Sequence, residues 1–152
     1  MKRSLVSALI FVVCLIAPQI AAATTASSDA RLSQTVIVHG ETVAMAKVNV
    51  HEMFSSVEMV CFELTFVNDL LDPGEILQIT PLQVYPSLSG FGFMNGGTTS
   101  ESTRTVCVAS SGYADVLALF VDGKDKNLEL SMGSGSVEVA SLTVKVTGTP
   151  RS

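Results

Sequence analysis

Tryptophan is missing from this chain, and seven Phe and two Tyr are its whole aromatic complement. An immunoglobulin-type core, in which a buried Trp packs on an inter-sheet disulfide, therefore loses its central element. The usual indole platform for stacking on sugars is missing too. Positive charge is scarce as well, with 9 Lys and Arg against 14 Asp and Glu, and no basic cluster gathers them. Such an acidic chain repels phosphate backbones, which excludes nucleic acid as a partner. Catalytic signatures are equally thin. There are two His, His39 and His51, and no Gly-x-Ser-x-Gly turn to present a nucleophile. Two His without a third ligand pattern do not make a zinc centre. No pair of acids is singled out for glycoside hydrolysis. The chain reads as a non-enzyme.

What the N-terminus does contain is an export signal. Lys2 and Arg3 precede an apolar run from Leu5 to Ile16, which is too short to span a bilayer comfortably. Pro18 breaks the run, and Ala21-Ala22-Ala23 offers a small-residue cleavage site. Cleavage after Ala23 leaves 129 residues, enough for one domain. No later apolar stretch approaches the roughly 18 residues of a membrane helix. Cys14 departs with the signal, leaving Cys61 and Cys107 as an even pair in an exported chain, which reads as one disulfide. The location expected is periplasmic or secreted. The absence of an Asn-x-Ser/Thr sequon fits a bacterial source.

Residues 24–33 are small and polar and are expected to be disordered. From Thr35 onward the dominant signal has period two. Phe62, Leu64 and Phe66 alternate with Cys61, Glu63 and Thr65, and Leu128, Leu130 and Met132 alternate with Asn127, Glu129 and Ser131. Ala114 to Val121 is apolar on both faces, as suits a buried strand. Pro81 marks a bulge or an edge, and a change of apolar parity near Ser141 marks another bulge. The whole predicts an all-β fold: a two-sheet antiparallel β-sandwich, jelly-roll or Greek-key like, with about eight strands and one disulfide. It occupies residues 34–148, with 149–152 as a tail. Cys61 and Cys107 both lie on the parity opposite the apolar residues beside them. The bridge is thus expected between neighbouring strands, or under a covering loop, rather than across the core.

Two segments carry candidate site residues. The first runs from Tyr85 to Ser102 and sets Tyr85, Phe91, Phe93 and Asn95 among Gly90, Gly92, Gly96 and Gly97. A long loop on a rigid sandwich is a usual place for recognition, and rings flanked by Gly can stack on a sugar or anchor a protein. The competing account is that Phe91 and Phe93 alternate as a further strand. The second segment, Asn68 to Glu75, gathers oxygen ligands suited to calcium, with Asp69, Asp72 and Glu75 as the set. Its competing account is a solvated turn with Asp as turn former, and it lacks the EF-hand pattern. A second acidic loop, Asp122 to Asn127, is interrupted by Lys124 and Lys126. No other cofactor is implied.

Export, one disulfide and a β-rich body of this size resemble bacterial pilus subunits, although no aromatic stands near Thr149-Pro150-Arg151-Ser152. The stretch Leu119 to Gly123 followed by Gly135-Ser136-Val137 resembles the last hairpin of galactose-binding-like jelly rolls. The function expected is an exported, non-enzymatic binding module for a glycan or protein partner at the cell surface or in the periplasm. A structural subunit of a surface assembly is the alternative, joined through exposed strand edges. An enzyme comes third.

Overall fold

A computed structural model of the protein describes residues 21–67, 74–82, 91–94, 102–109 and 113–152, with 91–94 described as backbone. Among the described residues the chain forms β1 (Thr24–Asp29), β2 (Arg31–Leu32), β3 (Val36–Val38), β4 (Ala44–Val48), β5 (Phe54–Phe66), β6 (Ile76–Pro81), β7 (Phe91–Met94), β8 (Thr103–Ala109), α1 (Ala114–Leu119), β9 (Lys126–Met132) and β10 (Ser136–Pro150). The strands build two antiparallel sheets. One has the order β1-β10-β5-β8, with β3 also on β10, and the other the order β2-β4-β9-β6-β7. The chain passes from one sheet to the other at almost every connection, and only β6 and β7 follow one another within a sheet. This is the expected two-sheet sandwich.

Period two explains the core. Val60, Phe62, Leu64 and Phe66 of β5 point inward with Leu142, Val144 and Val146 of β10, all of them buried. Ala44, Ala46 and Val48 of β4, Leu128 and Leu130 of β9, and Leu77 and Ile79 of β6 meet them from the other sheet. Burying each Leu, Ile, Val or Phe side chain contributes about 1.5–3 kcal/mol, and this term drives the two layers together. The bulge expected near Ser141 is present, because the β10–β5 register shifts between Val139 and Ser141. That shift turns the apolar side of β10 from Val137 and Val139 to Leu142 and Val144 without losing the core face. Pro81 is the last residue of β6, so its missing N–H leaves no gap within the ladder.

Three sequence-based expectations are corrected. Residues 24–33 are not disordered. β1 pairs with β10 from Thr24 opposite Gly148 to Asp29 opposite Thr143, and β2 pairs with β4. The segment reads as polar because an edge strand needs few apolar side chains, and here Ala26, Ala30 and Leu32 pack against the core. Next, Ala114 to Val121 is not a strand. Its Val116, Leu117 and Phe120 share one helical face, and all three are buried. Phe120 meets Phe62 edge to face, with ring centroids 6.4 Å apart. Finally, the tail from 149 is not free of the domain. β10 continues to Pro150, and the Arg151 N–H donates to the Met53 carbonyl at 2.8 Å.

Cys61 and Cys107 form the disulfide, and they sit directly opposite one another on β5 and β8. The bridge joins neighbouring strands on the outer side of the sheet, as their parity requires. Lys145 of β10 registers with Cys61, and its ammonium pairs with Glu63 at 2.8 Å on the same face. The bridge closes a loop across a sequence separation of 46. Reducing it is expected to lower unfolding stability by about 4 kcal/mol through regained chain entropy. Urea denaturation with and without dithiothreitol checks this, and an unchanged midpoint contradicts it.

Candidate functional site

The β1–β2 junction is where the N-terminal strand changes sheets. Asp29 pairs with β10 of one sheet, and Arg31, two residues on, pairs with Lys47 of the other. The Ala30 N–H donates to the Leu142 carbonyl at 2.8 Å and pins the bend. A second crossing lies alongside. Beyond Val48 the chain leaves β4, places Asn49 and His51, and enters β5 at Phe54. The turn before β9 brings up Asp125. Together Ser28, Asp29, Arg31, Lys47, Asn49, His51 and Asp125 line a cavity of about 330 Å³.

The polar groups are organised around Asp125. Its carboxylate pairs with the Lys47 ammonium at 2.8 Å and accepts a hydrogen bond from Asn49 Nδ2 at 2.7 Å. These two bonds hold the Asp125 carboxyl below its ordinary value, with Lys47 the larger cause, and the charges of Lys47 and His51 act in the same direction. The bond to Asp125 also orients the Asn49 amide, since the reversed amide would turn its oxygen toward a carboxylate. Asn49 Oδ1 is thereby left buried with no hydrogen-bond partner among the described residues. A buried acceptor in that condition costs about 1–3 kcal/mol. At the opposite wall Asp29 accepts a hydrogen bond from Thr143 Oγ1 at 2.7 Å.

The neighbouring acid, Asp122, is held by different groups. Lys126 points inward from β9, is buried, and reaches Asp122 at 2.7 Å. Partial burial pulls the Asp122 carboxyl upward, but the Lys126 ammonium and the Lys124 backbone N–H outweigh it, and the group sits below the usual carboxylate range. The acids of the Asp122 to Asn127 loop are thus committed to lysines. A second hollow, of about 260 Å³, lies between α1 and β5 against Ser56, Val57, Ala114, Leu117, Ala118 and Val121. Among the described residues Ser56 is the only polar side chain lining it.

Of the residues singled out from sequence, Phe91, Phe93 and Glu75 are among the described ones, and none of the three is in the lining of this cavity. Phe91 and Phe93 lie on β7, paired with Ile79 and Leu77 of β6. The backbone there is the further strand of the competing account, and not an irregular loop. Tyr85 and Asn95 lie outside the described residues, as do Asp69 and Asp72. Glu75 is described, and its carboxylate lies against Gly135, where an added Cβ would meet Glu75 Oε1 at 1.7 Å. Among the described residues no group of three His, Cys, Asp or Glu gathers to hold a metal ion. His39 lies in its turn with Nδ1–H donating to the Met132 carbonyl at 2.7 Å. Sequence reasoning missed the pocket, although the run Lys47-x-Asn49-x-His51 is a readable polar face.

No protein-family model matches the chain, and no curated protein matches it. Among solved structures the chain is similar to the crystal structure of FLHE, at 10% identity over 84% of this chain and 98% of that one, with a TM-score of 0.48. It is also similar to CBM35 from Cellvibrio japonicus Abf62, at 18% identity over 86% of this chain and 97% of that one, with a TM-score of 0.39. Both scores lie under 0.5, so the meaning of the pocket comes from its own residues.

The depressed value of Asp125 sets a pH window. Its stabilising effect is present above the unfolded value of about 3.9 and is lost as pH falls through the lower folded value. A carboxyl-carbon NMR titration is expected to place the Asp125 midpoint below that of an unfolded-chain Asp. In Lys47→Gln the midpoint is expected to rise. An identical midpoint in both proteins would break the assignment of Lys47 as the main cause.

Proposed function

We propose that this protein is an exported, non-enzymatic β-sandwich module that binds a glycan in the pocket between Asp29 and Asp125. The observation that carries the reading is the mixture of fixed donors and acceptors on the pocket wall. Arg31, Lys47 and His51 supply donors, while Asp29 and Asp125 supply acceptors. A sugar hydroxyl both donates and accepts, so an interleaved wall of this kind suits a polyhydroxylated ring. The cavity, about 330 Å³, has the size of an ordinary small-ligand site. The pocket is built largely on strand ends and crossings, and its central acid is already held by Lys47 and Asn49. Such pre-organisation reduces the ordering cost of binding.

The non-enzymatic part of the reading rests on the sequence, in which no nucleophile turn or zinc-ligand pattern is recognisable. Export rests on the signal-like N-terminus together with the disulfide. No helix among the described residues is long and apolar enough to cross a membrane.

Retention on a panel of immobilised polysaccharides tests the reading. The native protein is expected to be retarded on at least one of them. Asn49→Ala and Asp125→Ala are expected to weaken that binding by about tenfold or more, as loss of one charged or buried hydrogen bond implies. Circular dichroism should show both variants folded. Undiminished retention in both variants would move the site away from this pocket.

A further inference from the structure

The register of β2 on β4 contains a local conflict. Arg31 stands directly across from Lys47 in an antiparallel pair, so both side chains rise from the same face. Two cations opposed in this way repel and weaken the pairing. β2 is only two residues long and is held from its flanks, where the Ala30 N–H donates to the Leu142 carbonyl and the Ser33 N–H to the Met45 carbonyl. Lys47 is compensated in part by its exposed ion pair with Asp125 at 2.8 Å. Arg31 is exposed and has no ion pair among the described residues. Asp125 is paired with Lys47 and held by Asn49, while Asp29 accepts a hydrogen bond from the Thr143 hydroxyl, keeps its charge and makes no ion pair with Arg31. The lining thus holds one guanidinium without an ion pair among the described residues, with the paired Lys47 ammonium opposite and the His51 imidazole alongside.

A guanidinium presents parallel N–H donors that match two oxygens of one anionic group. An anion seated at Arg31 would satisfy that fork and also relieve the repulsion from Lys47. Places where a sequence breaks a local rule without compensation inside the fold are where function is to be sought. We propose that Arg31 is the anion-recognising residue of the pocket, and that the glycan it takes carries a carboxylate or a sulfate. The proposal rests on the glycan reading above and deepens it. Binding then tightens the β2–β4 pairing, because the ligand supplies the charge that the pairing lacks.

Calorimetric titration of the full protein with three probes tests this. They are an oligogalacturonate, its methyl ester with the same skeleton and no charge, and a sulfated oligosaccharide. An anionic probe is expected to bind at least about tenfold more tightly than the ester, the worth of a charge-assisted hydrogen bond. Whether the carboxylate or the sulfate probe does so identifies the source of the anion. Arg31→Gln is expected to abolish that preference, lowering affinity for the anionic probe to that for the ester, and to keep or raise the thermal midpoint without ligand. Arg31→Lys should restore part of the preference. Equal binding of charged and neutral probes overturns the anion assignment while the glycan reading stands. A preference that survives in Arg31→Gln removes the role from Arg31. Failure of the native protein to bind any of the three, or any polysaccharide of the wider panel, overturns both.

Discussion

Strand β10 is the element on which the other parts depend. It runs 15 residues, from Ser136 to Pro150, and serves β1, β3 and β5 in turn. Its inward residues Val137, Val139, Leu142, Val144 and Val146 are all buried, so one strand lines much of the core on its side. A strand this long would twist its side chains off the core if its register ran unbroken. The shift between Val139 and Ser141 resets the parity, and later shifts at Thr147/Gly148 and Thr149/Pro150 let it follow β5 to the end. At Gly148 the absence of a side chain is required, because an added Cβ would lie 2.2 Å from the Ser56 carbonyl oxygen. The pocket inherits its position from this strand. Asp29 stands where it does because β1 follows β10 as far as Thr143 before Ala30 turns away.

The parts legible in the sequence are those whose determinants are local. Alternation at Phe62, Leu64 and Phe66 marks β5, and the parity change marks the bulge at Ser141. Parity alone located the Cys61–Cys107 bridge on the outer face, since a period of two allows no other side. The parts not legible depend on partners distant in the chain. Thr24 to Asp29 has little apolar content of its own, and becomes a strand because β10 offers an open edge more than a hundred residues later. Val116, Leu117 and Phe120 are equally consistent with a buried strand or with one helical face, and contact with Phe62 decides between them.

The same distinction applies to the pocket. Lys47, Asn49 and His51 are visible as one polar face, yet nothing local says that Asp125 closes on them. Arg31 belongs to a segment that composition assigns to disorder, and its meaning comes wholly from being set opposite Lys47. Aromatic residues among glycines drew attention to Phe91 and Phe93 because composition shows bulk and not placement. β7 carries them as a paired strand beside β6.

The alternation of the chain between sheets has a bearing on the order of events during synthesis. β1 is the first strand to emerge and β10 the last, and they are partners. β3 and β5 also wait for β10. Until Ser136 to Pro150 is available, half of the sandwich has no centre and the early strands have only one another. Non-local pairings of this kind make folding slow, because loop closure precedes the contacts that reward it. Under the proposed export, a chain that stays open until β10 arrives is one that a translocation channel can still thread, because the strand order itself delays folding.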